Sequence, residues 1–274
     1  MSEDAIIAKL RRRGPLIGDD CAVISSRSGD DLLLKADLSI EGVHFTRDSA
    51  PEEIGARAVA RSLSDIAAMG GTPLYCLVSM ALAPWTEARW IDAFYRGIFQ
   101  LLRKSKTELA GGDISHAAQF VCDVMLCGSA PRGKALMRSG ARPGDAVYVS
   151  GPLGGWRHRR TIIPRLAFGR KLIGIATACM DISDGLALDL HRLCKASNVA
   201  AEIDSVPLLT GASIDQALHD GEDYELLYTA PARAKAPGIR IGRITKDRPG
   251  LVRYGGRPLE PIGYDHTRQN HRTD

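Results

Sequence analysis

Apolar residues occur in short blocks divided by glycines, prolines and charges, and three blocks in the first half read as strands: 32–38 (LLLKADL), 74–83 (LYCLVSMALA) and 119–129 (QFVCDVMLCGS). Between the first two, Ser49 is placed to cap a helix, with Pro51 in its first turn and Glu52 and Glu53 near its positive end. That helix is predicted to run to Met69, before Gly70-Gly71, and a second helix is predicted over 85–105, after Pro84. Residues 131–144 carry Gly133, Gly140 and Pro143 and read as a connection between two halves. Beyond it the pattern predicts a strand at 146–150, a glycine-rich turn at 151–155, a helix at 184–196, a strand at 200–203, a short helix at 213–219 and a strand at 224–229.

In 156–178, Pro164, Gly169 and Gly174 interrupt any long helix, while five arginines and Lys171 make the stretch basic. It reads as a solvated loop rather than a phosphate-contacting element. The polar tail after Tyr264 is expected to fray. Strand pairs mixed with helices predict an α/β or α+β protein in two layers, divided into halves at 1–131 and 140–266.

Composition narrows the function classes. In 274 residues, 45% are hydrophobic, which supports packed cores and excludes a disordered chain. The 36 basic and 32 acidic residues leave a net charge of +4, spread along the chain, so nucleic acid is not an expected partner. No apolar run approaches the roughly 18 residues of a membrane helix, and Met1 is followed by Ser-Glu-Asp rather than a basic and then apolar leader. A cytoplasmic protein without membrane contact is expected. The cysteines Cys21, Cys76, Cys122, Cys127, Cys179 and Cys194 form no CxxC pair, and the expectation is reduced core thiols rather than a metal site.

The chemistry lies in where acidic residues sit. Asp19-Asp20 follow Gly18, Asp37 ends a strand, Asp65 lies in a helix, Asp113 follows Gly111-Gly112, and Asp181 and Asp184 precede Gly185. Each alone has a plain explanation: Asp19 and Asp20 as turn formers, Asp65 paired with Arg61 at i,i+4, Asp184 as a helix cap. Together, carboxylates without accompanying His or Cys suit Mg²⁺, which binds one or two carboxylates and completes its shell with water and phosphate oxygens. A nucleotide-phosphate site is the expectation. There is no GxxxxGK[ST], HExxH or GxSxG, and 151–155 is not GxGxxG.

Six strings in collinear order carry a resemblance: Ile17-Gly18-Asp19-Asp20-Cys21-Ala22, Glu41-Gly42-Val43-His44-Phe45, Ser64-Asp65-Ile66-Ala67-Ala68-Met69-Gly70, Gly111-Gly112-Asp113, Met180-Asp181-Ile182-Ser183-Asp184-Gly185-Leu186 and Gly221-Glu222-Asp223-Tyr224-Glu225-Leu226. In this order and spacing the chain resembles the thiamine-monophosphate kinases. The resemblance implies the fold of the aminoimidazole-ribonucleotide synthetase-like superfamily, with an N-terminal sheet domain, a C-terminal α+β domain and a homodimer joined through the N-terminal sheets. It implies transfer of the γ-phosphoryl of ATP to thiamine monophosphate. By the same resemblance, Asp19, Asp37, Asp65, Asp113, Asp181 and Asp184 would hold Mg²⁺. Gly112, Asp113, Arg138 and Ser183 would contact ATP, and His44, Glu222 and Tyr264 would line the thiamine-phosphate pocket. No general base is expected, because a phosphate monoester with a second pKa of about 6 is already largely unprotonated at neutral pH.

The chain departs from the family pattern in four places. Lys35-Ala36 stand where Thr or Ser-Thr usually precedes Asp37, so hydroxyls are lost and an ammonium is gained. Lys35 either replaces an ion's charge or points outward, as strand alternation allows. Ile114-Ser115 follow Gly-Gly-Asp instead of two threonines. The stretch between Gly155 and Cys179 is short and rewritten with Arg157, Arg159, Arg160 and Arg165, and 231–240 is abbreviated. Two further readings stay open: another ATP-dependent enzyme of the superfamily, and a nucleotide-binding homologue without turnover. Selenide chemistry would want a reactive cysteine beside a glycine-rich loop, which Cys21 lacks.

Overall fold

Two mixed β-sheets, each faced by helices, make up the computed structural model of residues 3–27, 29–158 and 161–265. The first half contains α1 (Glu3–Arg11), β1 (Ala22–Ile24), β2 (Asp31–Ile40), α2 (Pro51–Ala68), β3 (Thr72–Leu82), α3 (Ala88–Ser105), β4 (Glu108–Gly111), β5 (Ile114–His116) and β6 (Val121–Ala130). The second contains β7 (Asp145–Val149), α4 (Leu166–Leu172), β8 (Ala178–Asp181), α5 (Leu186–Ala196), β9 (Ala200–Ile203), α6 (Ile214–His219), β10 (Leu226–Pro231), β11 (Ile239–Thr245), β12 (Val252–Tyr254) and β13 (Arg257–Leu259).

The first sheet runs β1-β2-β6-β3-β4, with β5 also paired to β3. Alternation gives it two unlike faces. Leu33, Val78, Val124 and Leu126 point to the face covered by α2 and α3, and pack there with Ile66, Phe94 and Ile98. On the other face, Leu32, Leu38, Tyr75, Leu77 and Met125 are exposed large apolar side chains, and register brings Ala36, Met125 and Leu77 into one row.

The second sheet runs β13-β12-β9-β11-β7-β10-β8. It is buried on both faces, which is why β7 is buried at every position and β10 at all but Pro231. Leu186, Leu190 and Leu193 of α5 pack on one face, whereas Leu172 of α4 and Ala67 and Ala68 at the end of α2 pack on the other. Helix α2 therefore belongs to both cores. Its residues Ser62, Ser64 and Asp65 are buried at the junction of the halves.

Several expectations need correcting. Ser49 does not cap α2: Ala50 holds the N-cap position without a side-chain bond, and the Ser49 hydroxyl instead accepts from the Thr46 amide at 3.3 Å. Asp184 does not cap α5, which starts after Gly185; its carboxylate is drawn to Arg192. Ser213 does cap α6, in a reciprocal box with Gln216. The 156–178 stretch is not a solvated loop throughout. It contains α4, and Gly169 lies so close to α2 that a Cβ there would stand 1.9 Å from Ala67 O. Arg165 is bonded to the buried carboxylate of Glu225, which also accepts from Ser150. Arg159, Arg160 and the tail from 266 onward lie outside the described residues.

Candidate active site

A cleft of about 710 Å³ opens where helix α1, the middle of β2, the last third of α2, the end of β8 and the loops at 17–19 and 221–224 meet. Strand alternation places Lys35 and Asp37 on the covered face of β2, beside buried Leu33 and Ser39. Helix α2 presents Asp65 to the cleft and Ser62 and Ser64 to two of its carboxylates. Ser62 Oγ donates to Asp37 Oδ2 at 3.0 Å, and Ser64 Oγ to Asp181 Oδ2 at 2.6 Å.

Asp20, Asp65 and Asp181 are all buried, and one oxygen of each lies within 4.8 Å of one of each of the others. Asp20 Oδ1 is held by the Arg138 guanidinium, whose backbone N–H donates to Asp19 Oδ1 at 2.7 Å. Asp20 Oδ2 is buried and receives no donor from the described residues. Lys35 Nζ donates to Asp65 Oδ1 at 2.9 Å and stands 3.4 Å from Asp37 Oδ1. The lysine thus points inward, and Asp65 pairs with it rather than with Arg61, whose guanidinium donates to Leu38 O.

Crowding of buried carboxylates shows in their acidities. Burial and the neighbouring Asp20 raise Asp19 to about 6 and Asp181 to about 7. Burial pushes Asp65 well above the ordinary range, with Lys35 opposing. For Lys35, burial works against the ammonium, but Asp65 and Asp37 outweigh it and hold its pKa well above the usual value. Carboxylates packed this closely ionise together only beside added positive charge. A buried acceptor lacking a donor and an all-oxygen set fit a hard divalent cation.

The remaining wall is built by the 221–224 loop. Glu222 and Tyr224 adopt left-handed φ values of 58° and 50°, and their amides donate to Ser183 O and Ile182 O. This fixes Glu222 against Arg57 of α2, at 2.7 Å. The backbone N–H of Tyr264 donates to Asp184 O at 3.0 Å. His44 accepts from the Ile40 amide at Nδ1, so the neutral ring carries its proton on Nε2. Ser183 and Asp184 amides donate to buried Asp189, raised to about 8 by burial and by Asp184.

Among the sequence-predicted residues, the cleft gathers Asp19, Asp37, Asp65, Asp181, Asp184, Arg138, Ser183, His44, Glu222 and Tyr264. It does not gather Gly112 and Asp113. Register counts three strand steps from Asp37 through Val124 and Val78 to the Gly112-Asp113 edge, about 14 Å at the usual strand spacing. Asp113 is exposed there, and Gly112 is demanded by packing, since a Cβ would stand 1.8 Å from Val78 O.

Sequence reasoning left Asp20 out of the metal set, because an Asp-Asp doublet gives no sign of which side chain turns inward. It also missed Asp189 with Arg192, whose i,i+3 spacing looks like a surface pair, and Arg61 and Tyr224 in the cleft wall. Cys21 is buried among these groups and its thiol is pushed well above the ordinary value, chiefly by burial and Asp65, which leaves it a core thiol.

Similarity to known proteins extends over most of the chain. A family model described as AIR synthase related protein, N-terminal domain, matches residues 18–130. The chain is 33% identical to the thiamine-monophosphate kinase of Salmonella typhimurium strain LT2 over 91% of each chain, and 34% identical to that of Aquifex aeolicus strain VF5 over 92% of each. A solved structure described as AaThiL complexed with AMPPCP and TMP matches with a TM-score of 0.90 at 32% identity, covering 97% of both chains. The hydrogenase maturation protein HypE in complex with ATP matches at 18% identity with a TM-score of 0.71, over 85% of both chains, a likeness of fold alone.

Proposed function

The chain belongs to the thiamine-monophosphate kinase family, and we infer that it carries out that family's reaction in this cleft, moving the γ-phosphoryl of ATP onto the phosphate of thiamine monophosphate to give thiamine diphosphate. It is an ATP-dependent phosphotransferase of the aminoimidazole-ribonucleotide synthetase-like fold. The observation that carries the siting is the convergence of Asp20, Asp65 and Asp181 within 4.8 Å, beside a cleft lined by Asp65 and Asp181 together with Asp19, Asp37 and Asp184.

Phosphoryl transfer between two polyanions requires alignment and charge neutralisation more than proton removal. Mg²⁺ held by Asp19, Asp20, Asp65, Asp181 and Asp184 would neutralise the phosphate oxygens and clamp the two substrates. The chain's own residues do the rest. Arg138 fixes Asp20, Ser64 fixes Asp181, and Asp189 with Arg192 fixes Asp184, so the carboxylates are oriented before substrate arrives. Ser183 and Arg138 would face ATP. His44, with its Nε2 proton, Glu222 and Tyr264 would receive the thiamine end, and the buried 221–224 loop limits water on that side.

Residues 1–131 would form the nucleotide-binding and dimerising half and residues 140–266 the second half. The exposed apolar row on the first sheet supports a homodimer through that face, and Asp113 would enter a metal or ATP site only from such an assembly. No helix among the described residues is long and apolar enough to cross a membrane, and a cytoplasmic location is proposed.

The test is to incubate the purified protein with ATP, Mg²⁺ and thiamine monophosphate and resolve thiamine diphosphate by chromatography. Product formation, lost on addition of EDTA, is the expected result. ATP bound without product would assign the chain to nucleotide binding alone, and hydrolysis driven only by another acceptor would assign it to a different reaction of the fold.

A further inference from the structure

The carboxylates of the cleft fall into two groups that share Asp65. One is Asp20, Asp65 and Asp181, with the donor-less Asp20 Oδ2 buried among them at 2% residue exposure. The other is Asp65 and Asp37, and between these stands Lys35 Nζ, 2.9 Å from one and 3.4 Å from the other. The first group has the donor set of a divalent-cation site. The second already contains a cation, covalently attached to β2.

We propose that the Lys35 ammonium is a resident cation occupying the place of a divalent ion between Asp37 and Asp65, so that this chain loads metal on the Asp20–Asp65–Asp181 side and not on the Asp37–Asp65 side. The proposal rests on the reading of the acidic cluster as a metal centre.

Three observations carry it. Alternation along β2 commits residue 35 to the covered face with Leu33, Asp37 and Ser39, so the ammonium cannot swing to the outer face without reversing the strand's register. Ser62 and Ser64, fixed on buried turns of α2, hold Asp37 and Asp181 by one oxygen each, which keeps the two groups apart on either side of Asp65. Finally, a compact ammonium with rotatable donors suits a point between two carboxylates, where a planar guanidinium would need a bidentate partner. Chelators remove a bound ion, but they leave this charge in place. The Asp37–Asp65 side is therefore neutralised whether or not metal is present.

The experiment counts Mn²⁺ bound per chain, without nucleotide, by electron paramagnetic resonance of free Mn²⁺, and follows the melting temperature in EDTA and in millimolar Mn²⁺. The proteins are the unmodified chain, Lys35→Arg, Lys35→Met and Lys35→Thr. Lys35→Thr, which exchanges the ammonium for a hydroxyl oxygen, is expected to bind one further Mn²⁺. Lys35→Arg is expected to keep the original count. Lys35→Met is expected to melt lower than the unmodified protein in EDTA and to recover in Mn²⁺. An unchanged Mn²⁺ count in Lys35→Thr overturns the proposal, as does a Lys35→Met protein that Mn²⁺ fails to restore. Loss of ATP affinity without a gained ion also overturns it, and assigns the lysine to phosphate instead. Should the unmodified protein bind no Mn²⁺ at all, the metal-centre reading itself fails, a result separate from the other three.

Discussion

Arg57 of α2 donates to Glu222 at 2.7 Å, tying a helix of the first half to a loop of the second in which two non-glycine residues hold left-handed backbone. Such conformations cost on the order of 1–3 kcal/mol each and persist when their surroundings over-determine them. Arg57→Ala removes one of the ties on Glu222 while leaving the carboxylate cluster alone. The expected outcome is a KM for thiamine monophosphate raised roughly tenfold, from the loss of about 1.5 kcal/mol of charge-assisted hydrogen bonding, with the KM for ATP nearly unchanged. Steady-state kinetics with each substrate varied in turn would check this, and an equal rise in both KM values would detach Glu222 from the acceptor side.

Arg165 makes a comparable tie for the rewritten segment. Its guanidinium forks onto Glu225, whose side chain is wholly buried. Arg165→Ala takes this two-point contact away from the Glu225 carboxylate, a loss of about 3 to 5 kcal/mol for a broken buried pair. The melting temperature is expected to fall by roughly 10 °C for a chain of this size. Lys at this position should recover only part of the loss, because an ammonium cannot reproduce the two-point contact. Calorimetry of the two variants distinguishes this from a surface ion pair, whose removal would shift melting by a degree or two.

How much of this was readable beforehand depends on whether the governing contact is local. The long strands of the first half, the 200–203 strand and the short helix at 213–219 follow from the apolar pattern, and the helix proves to be capped by Ser213. Helix α1 was missed although Ile6, Ile7 and Leu10 recur at helical spacing, and the fold leaves all three exposed. Ser49 misled because the serine before Pro51 satisfies a turn at Thr46 instead. In the site, residue types gave the carboxylate chemistry, but inward or outward direction depended on partners 30 to 119 positions away, as with Lys35 and Asp65 or Asp19 and Arg138. The exposed position of Asp113, three strands from Asp37, could not be seen from a Gly-Gly-Asp string.

The open face of the first sheet leads to a prediction about assembly. Leu38 is 52% exposed and Tyr75 50%, in an apolar field with Met125 and Leu77. A patch of this kind marks an interaction surface. Sedimentation should find a dimer, and Leu38→Glu, which sets a charge beside Asp123 across the β2–β6 register, should shift it to monomer with the fold retained. A monomeric unmodified protein at micromolar concentration would rule out this face as a stable interface.

The raised acidities of the cluster give metal-free protein an unusual dependence on pH. Asp19 at about 6 and Asp181 at about 7 compare with about 3.9 in an unfolded chain. Between these limits the folded state holds more protons than the unfolded one, so stability falls as pH rises through that window, and Asp189, raised to about 8, extends the fall. In EDTA the protein is therefore expected to melt several degrees higher near pH 5 than near pH 8. Bound Mg²⁺ favours the ionised carboxylates and releases their protons, so its affinity should rise over the same interval. In millimolar MgCl₂ the trend should flatten or reverse, and titration near pH 6 should release protons into the buffer. Thermal scans at both pH values, with and without Mg²⁺, check the sign directly. Melting that climbs with pH in EDTA would mean that Asp19 and Asp181 are ionised without a metal, and that the cluster is neutralised by Arg138 and Lys35 alone.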